Sequence, residues 1–416
     1  MVERKGFNAE ISDANAENLS SEKIIQKARE FDKIFITTST LDKWQCYEPN
    51  IQSCIELIKQ IQKINSNVFL IGAHGTMKPN DLQKLTNVKA VIRGEPELTI
   101  LDICNDKNLK DVKGITYKKN GKIVSNSDRE PLDLNKLALP AFHLLPMNKY
   151  YYEIMGNDFT LFESSRGCPF SCTYCFKSMY GKERRQKSLD KITEEVRYGI
   201  EKFGIKNAYF IDLEFCLNKK LVESLCDFLI KEKYDFNWTC QTRFDTIDAD
   251  LLKKMKKAGC SIIHFGVESG SQKILDKINK KLTIQQIKKG MKLVKKSNIK
   301  TVCFFMFGLP TETKTDIDMT IKLAKELNPT YASFHIAVPY LGTQFYEEIK
   351  SELDERGLFP LAYGNQKELE KIKKKAYRKF YLRPGYVFSR ISQGELKLLI
   401  KQLKLYSNSI KNEGVD

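Results

Sequence analysis

Between residues 159 and 340 one pattern recurs six times: a short, apolar, β-rich run, separated from the next by a stretch with apolar residues at helical spacing. The runs are FTLFESS (159–165), NAYFIDLEF (207–215), FNWTCQTRF (236–244), SIIHFGVES (261–269), TVCFFMFGLP (301–310) and YASFHIAVPY (331–340). SLDKITEEVRYGIEKFG and KKLVESLCDFLIKEK are typical of the helical stretches between them. Six such units predict a closed or partly closed parallel barrel rather than a flat sheet. Barrels of this kind place their chemistry at the carboxyl ends of the strands, so the residues that end each run become the first candidates.

The first third of the chain alternates at a shorter period. KIFITTST (33–40), VFLIGAHG (68–75) and KAVIRGE (89–95) read as buried strands. IQSCIELIKQIQKIN (51–65), PNDLQKLTN and LTILDIC (98–104) read as helices, which together predict a doubly wound parallel sheet. GITYKKNGKIVSN (114–126) is a hairpin, because Asn120-Gly121 accepts the positive φ angles of a type I′ turn. The segment DREPLDLNKLALPAFHLLPMNKYYYE has three prolines and little periodicity, as a linker does. The expected division is a first domain with its hairpin over 1–126, a linker over 127–158, the barrel over 159–343, and a helical cap over 344–416.

The formal charge of +17 suggests an anionic partner. Yet the lysines are scattered along helical stretches such as LLKKMKKAG and QQIKKGMKLVKKSNIK, as solvated helix faces are. KIKKKAYRKFYLRPG (371–385) is denser; it reads as an amphipathic terminal helix, with a phosphate or lipid headgroup site as the sharper alternative. No apolar run approaches the roughly 20 residues of a membrane span. The polar, acid-bearing start MVERKGFNAEISDANAENLSSEK resembles neither a signal nor a transit peptide. The expected location is the cytoplasm, where the 11 cysteines are reduced thiols or metal ligands.

Three of those cysteines, Cys168, Cys172 and Cys175, lie in SSRGCPFSCTYCFKS (164–178), directly after the first barrel run. Three thiols are one too few for a closed tetrahedral zinc and one too many for a disulfide. No second cysteine pair lies nearby, and His143 or Cys216 completes a zinc site only if the fold happens to bring it there. Thiolates also suit iron–sulfur clusters. A four-iron cluster held by three cysteines keeps one iron open for another ligand, as a catalytic metal site must.

With SRGCPFSCTYC stand RRQKSLDKITEEV, FIDLEF, TCQTRFD, FGVESGSQKILDKINK, FFMFGLPTET and PYLGT. Together they resemble the radical S-adenosylmethionine enzymes, in the branch that carries an N-terminal cobalamin-binding domain. The resemblance implies an α/β fold: a shortened Rossmann-like parallel sheet of the cobalamin-binding type, a partial (β/α)6 radical S-adenosylmethionine barrel, and a C-terminal helical cap. It implies that Cys168, Cys172 and Cys175 bind a [4Fe–4S] cluster whose open iron takes the methionyl amine and carboxylate. Tyr174 matches the aromatic beside the adenine, and the IDLEF segment with Asp212 and Glu214 matches the backbone facing the methionyl amine. Arg243 matches a charge for the methionyl carboxylate, and Glu268 and Ser269 match the ribose-binding positions. Gly308, Val338 and Pro339 match positions lining the adenosine.

Plainer readings stand beside these. Tyr174 packs on its own loop, or Arg243 pairs with Asp245 or Asp248 at the surface. Glu268 shares strand parity with His264 and Gly266, and a buried carboxylate without a partner is costly, which favours a ligand role. His264 and His335 are expected to be packed and hydrogen-bonded, and Cys216, Cys240 and Cys303 to be small core hydrophobes.

In the first domain the resemblance makes TTST, GAHG and VIRGEPELT cofactor-facing loops. Ser39, Gly72, His74, Gly94 and Glu95 become the cobalamin contacts, against a plain reading of glycine turns in a parallel sheet. The domain is expected to be shortened, because relatives are past a first strand and helix where GFNAEISDANAEN begins. The Asp-x-His-x-x-Gly motif is absent: DANAEN (13–18) has Asn15 and Asn18 in those places.

The activity implied is methylation of an unactivated carbon, with methylcobalamin as donor and a second S-adenosylmethionine to restore it. Oxidative cyclisation of a porphyrin ester or a lipid, an RNA-modifying reaction, and a non-catalytic binding role are the alternatives. The partners implied are a small-molecule or lipid substrate and an electron donor such as flavodoxin or ferredoxin. No small β-barrel RNA-binding module follows the barrel, which argues against nucleic acid.

Overall fold

The computed structural model describes residues 1–39, 46–47, 49–353 and 362–392, together with 394, 396, 399 and 400. Thr40 of the TTST loop and the expected cap beyond residue 400 lie outside the described residues.

The first sheet contains β1 (Ile34–Thr37), β2 (Val68–Ile71), β3 (Ala90–Ile92), β4 (Ile115–Lys119) and β5 (Lys122–Ser125), in that spatial order. β1, β2 and β3 are parallel, while β4 and β5 extend the sheet antiparallel. The hairpin is as expected, with positive φ at Asn120 and Gly121, but it is part of the sheet itself. Val68, Leu70 and Val91 pack on Ile55, Ile58 and Leu82 of one helical layer. Phe69, Ala90 and Ile92 pack on Ile103 on the other face, which is why VFLI and AVI are apolar throughout. The strand order runs without reversal, so the sheet has no topological switch point of its own.

The second sheet contains β6 (Phe159–Phe162), β9 (Asn207–Phe210), β10 (Asn237–Thr242), β11 (Cys260–Glu268), β12 (Lys300–Phe307) and β13 (Tyr331–Ile336). All neighbours are parallel and follow chain order, and the edges β6 and β13 do not pair, as in a partial barrel. Between β6 and β9 a two-residue ribbon forms from β7 (Ser165–Arg166) and β8 (Arg185–Gln186). Alternate residues pack outward on the helices, among them Phe210, Cys240, Phe265, Cys303, Phe305 and Phe334. Each such buried aromatic contributes about 1.5–3 kcal/mol of apolar transfer. Cys216, Cys240 and Cys303 belong to this core, and burial pushes the Cys240 and Cys303 thiols up, so they are neutral packing groups.

The remaining alternation, Tyr209, Gln241, His264, Gly266, Glu268, Phe304 and His335, faces the lumen. The segment expected to be a linker also plugs the amino-terminal end of the barrel: a turn pairs Tyr152 with Gly156 and packs Ile154 and Met155 against Ile262, Val302 and Tyr331. The basic stretch lies in the helix Gln366–Tyr381, which buries Leu369, Ala376, Phe380 and Tyr381. That helix runs along the β13 edge. Tyr381 Oη accepts from Ala332 N and donates to Ala332 O, both at 3.0 Å, which shields backbone that an edge strand leaves unpaired. Among the described residues no helix is long and apolar enough to cross a membrane.

Candidate active site

The cysteine loop leaves the carboxyl end of β6, and the β7–β8 ribbon closes its base. Cys168 is buried, and Cys172 and Cys175 are half-buried free thiols. Burial pushes the Cys175 thiol up to about 12; Lys177 and Lys280 oppose the rise, while Cys172 and Cys168 add to it. Loops from later strands hold them there. Thr173 N donates to Ile278 O at 3.0 Å, and Phe345 N donates to Thr173 O at 3.0 Å. Asn279 Nδ2 donates to Ser171 O at 2.9 Å, and the Arg243 guanidinium lies 4.0 Å over the Phe170 ring. The donor set is three soft thiols, which suits iron–sulfur chemistry with one thiolate per iron. Among the described residues no trio of His, Cys, Asp or Glu stands at the spacing a single metal ion needs. His143 instead meets Glu3 at the surface, 3.0 Å away.

Opposite the loop, at the carboxyl end of β11, Tyr174 Oη donates to Glu268 Oε1 at 2.8 Å. Lys280 Nζ donates to the same oxygen at 2.7 Å, and both charged groups are buried. Glu268 therefore has a cationic partner, and the expectation of an unpartnered carboxylate is corrected. Burial works against the Lys280 charge, but Glu268 more than offsets it and holds the ammonium above its ordinary value. Gly266 makes the room: a Cβ there would collide with Glu268 Oε1 and Lys280 Nζ. Glu268 itself has φ +66°, a strained angle for a residue with a side chain, just past a register shift in the β11–β12 ladder. That Glu268 faces the lumen was readable from strand parity; that a cation meets it there was not. KINKK offers three lysines, and only the fold selects Lys280.

Several other expected contacts are revised, because their polar atoms are engaged within the protein. Asp212 accepts from Ser164 N at 3.0 Å, from Ser164 Oγ at 2.6 Å, and from Ser165 Oγ, bracing β9 against the start of the cysteine loop. Glu214 accepts from the hydroxyls of Thr242 and Thr246 and from Arg243 N, and burial holds its carboxyl above the usual range. Arg243 pairs with Asp245 through two bonds of 2.8 and 2.9 Å and donates to Lys280 O at 2.9 Å. It is the pairing weighed above, with Arg243 buried and Asp245 exposed. Ser269 Oγ turns to Thr320 Oγ1, 3.2 Å away on a neighbouring helix. Gly308 abuts Leu369 of the cap, and its N–H donates to Glu312 at 2.7 Å. Val338 is half-buried and Pro339 buried on the segment that follows β13.

Inside the lumen, His264 lies 5.0 Å from the Tyr209 ring and 5.7 Å from that of Phe304. Among the described residues neither of its buried ring nitrogens has a hydrogen-bond partner, and burial pushes its pKa down to about 3, so the ring is neutral. It is packed as expected but not hydrogen-bonded. His264→Phe should therefore raise stability by about 1 kcal/mol, since it removes unsatisfied buried polar atoms without removing a bond. Chemical denaturation reads this, and a loss of similar size would show that the imidazole has a partner. His335 does have one, with Nε2 at 2.8 Å from Ser333 Oγ.

In the first domain, Gly72 has φ +107° and stands against Ser39 Oγ and Thr38 Oγ1. His74 is fully buried, its Nδ1 2.9 Å from Thr38 Oγ1, so it packs within the domain rather than reaching outward as expected. Glu95 is likewise corrected: it forms ion pairs with Arg166 and Arg185, at the two ends of the cysteine loop. Gly94 is open, with no atom within 4 Å of where a Cβ would stand, and Ser39 is half-buried beside Gly72. Of the two glycines, Gly94 has open space beside its backbone and Gly72 is closed in by Ser39 and Thr38. The segments after β1 and β2 meet the barrel, where Tyr47 packs on Phe176 and Tyr340 and Thr76 Oγ1 lies 3.2 Å from Met179 Sδ. The sequence reading missed Lys280, Arg166 and Arg185.

A family model described as the Radical SAM superfamily matches residues 162–324. A protein of Pyrococcus horikoshii named as an uncharacterised methyltransferase is 32% identical over 95% of this chain and 91% of its own length. The anaerobic magnesium-protoporphyrin IX monomethyl ester cyclase of Rubrivivax gelatinosus is 28% identical over 82% of this chain; the chain spans 63% of that enzyme, less than two thirds. The fold is similar to that of the radical S-adenosylmethionine methyltransferase TsrM from Kitasatospora setae, solved with cobalamin and a [4Fe–4S] cluster. The TM-score is 0.68 at 15% identity, covering 84% of this chain and 70% of that one.

Proposed function

This chain belongs to the radical S-adenosylmethionine superfamily, whose fold works with a [4Fe–4S] cluster and S-adenosylmethionine, and we propose that it methylates an unactivated carbon. The observation that carries this reading is that, at one end of the barrel, the loop with three free thiols is tied through Tyr174 to the buried Glu268–Lys280 pair. Methylation is favoured by the Pyrococcus relative, named a methyltransferase, and by the fold shared with TsrM.

Cys168, Cys172 and Cys175 would each hold one iron, which leaves the fourth open to the methionyl end of S-adenosylmethionine. Tyr174 would lie beside the adenine, with Glu268 at the ribose. Lys280 holds the Glu268 carboxylate in place within the protein. Asp212 and Glu214 act through the backbone, tying the 211–214 segment to β6 and β10 so that its peptide groups stay presented. Ser39, Gly72 and Gly94 would line a cobalamin at the first domain. When bound, the cluster with S-adenosylmethionine supplies the 5′-deoxyadenosyl radical, and cobalamin the methyl group. The protein excludes water: Ile154 and Met155 seal one end of the lumen, and Tyr209 and Phe304 line it.

We place the enzyme in the cytoplasm, acting on a small molecule or lipid and drawing electrons from a donor such as flavodoxin or ferredoxin, with nucleic acid outside its partners. Oxidative cyclisation without methyl transfer is the second reading, favoured by the cyclase relative. Anaerobic purification with cobalamin supplied, followed by iron and cobalamin analysis and a dithionite-driven 5′-deoxyadenosine assay, tests both. The expected result is bound cluster, bound cobalamin and 5′-deoxyadenosine. An intact cluster that never cleaves S-adenosylmethionine would sink the radical step, and cleavage without bound cobalamin would remove the methylation.

A further inference from the structure

We propose that Glu95, from the first domain, is a positioning residue that clips together the two ends of the cysteine loop in the barrel. The inference rests on the cluster-binding reading of that loop. It starts from the β7–β8 ribbon, whose register sets Arg166 directly opposite Arg185. Two like charges facing each other across an antiparallel pair repel and open it. Both side chains are largely buried, at 6% and 16% exposure, so water does little to relieve the repulsion.

One carboxylate resolves this. Glu95 Oε2 accepts from Arg166 Nη1 at 3.0 Å and from Arg185 Nη1 at 3.2 Å, while Oε1 accepts from Arg185 Nη2. Arg166 has two further acidic partners, Glu97 at 2.7 Å and Glu163 at 2.9 Å. Arg185 has Glu95 as its acidic partner, with Leu132 O accepting from Nη1 at 2.8 Å. Removing Glu97 or Glu163 therefore leaves the clip in place, whereas removing Glu95 leaves Arg185 facing Arg166 without a counter-charge between them.

The geometry between the arginines makes the loop sensitive to that loss. Gly167, next to Cys168, has φ +82°, and a Cβ there would run into Glu183 O, so the outgoing and returning strands touch just inside the ribbon. The three cysteines lie between Gly167 and Arg184, so this junction joins the two ends of their loop, whose middle is held by Ile278, Asn279 and Phe345. Glu95 follows β3, at the carboxyl end of the first sheet and just before the helix Glu97–Cys104. Through Glu95 the first domain thus braces the base of the thiol loop, beside its contacts from Glu97, Thr76 and Tyr47.

The test uses the full chain, reconstituted anaerobically with iron and sulfide, as wild type, Glu95→Gln, Arg185→Gln, the double variant, and Glu97→Gln. Glu95→Gln keeps the shape and removes the charge. It should lower 5′-deoxyadenosine formation about 10²-fold, the scale of a misplaced reacting group, and weaken the change that S-adenosylmethionine makes in the electron paramagnetic resonance of the reduced cluster. Arg185→Gln should act in the same direction, the double variant should be no worse than Glu95→Gln alone, and Glu97→Gln should stay near wild type. Glu95→Gln and Arg185→Gln that both keep wild-type iron, spectrum and product would overturn the clip, as would losses that multiply in the double variant. If Glu95→Gln fails to fold, Arg185→Gln decides alone by the same spectrum. A wild-type protein without cluster or product would instead sink the cluster-binding reading itself.

Discussion

Replacing Cys172 with alanine should leave a folded protein that holds no four-iron cluster and releases no 5′-deoxyadenosine. Cys172 is half-buried, so its thiol contributes little packing, and the substitution should change stability by less than about 1 kcal/mol. The loss falls instead on ligation: with two thiolates left, a second iron is without a protein ligand and the cluster is not retained. Iron and sulfide analysis and the absorbance of the reconstituted protein read the cluster, and chromatography reads the nucleoside. Cys240→Ala is the control, because that thiol lies in the outer core and should keep its iron while losing stability. A Cys172→Ala protein with wild-type iron content would mean that the loop is not the ligand set.

Lys280→Met should be the most damaging single change away from the cysteines. It strands the Glu268 carboxylate, already buried and accepting from Tyr174, without its cation. Breaking one side of a buried ion pair costs about 3–5 kcal/mol, far more than the pair's own net worth. Glu268→Gln with Lys280→Met should recover most of that stability, because the orphaned charge is gone, but not S-adenosylmethionine cleavage. Gly266→Ala should resemble the single variant, since its methyl would fall where the pair now sits. Urea denaturation of the three proteins, with the 5′-deoxyadenosine assay beside it, separates the two effects. A Lys280→Met protein within about 1 kcal/mol of wild type would show that Glu268 is solvated rather than paired.

Both predictions turn on residues of different legibility. The three cysteines were readable at once, because ligand type and spacing are local properties of eight consecutive positions. Glu268 was readable as lumen-facing, since strand alternation carries His264 and Gly266 to the same face. Its partner was not, because alternation says which way a side chain points and not what stands opposite. Asp212, Glu214 and Arg243 were identified through the family resemblance, in their motifs after β9 and β10. The structure finds their polar atoms engaged by Ser164, Thr242 and Asp245. The linker shows the same limit: its prolines announced irregular backbone, but not that Ile154 and Met155 would close the barrel.

What the sequence determined by itself is therefore the order of elements, the six-unit barrel, the hairpin turn at Asn120-Gly121 and the three-thiol loop. Each follows from periodicity or spacing within a few residues, where the chain's own geometry is the only constraint. What the tertiary structure alone decided is who neutralises whom: Lys280 for Glu268, and Glu95 for Arg166 and Arg185, partners 71 and 90 residues away in the chain. Charges attract without regard to sequence distance. Among the acidic and basic side chains a chain of +17 offers, only burial at one junction makes a particular pair indispensable.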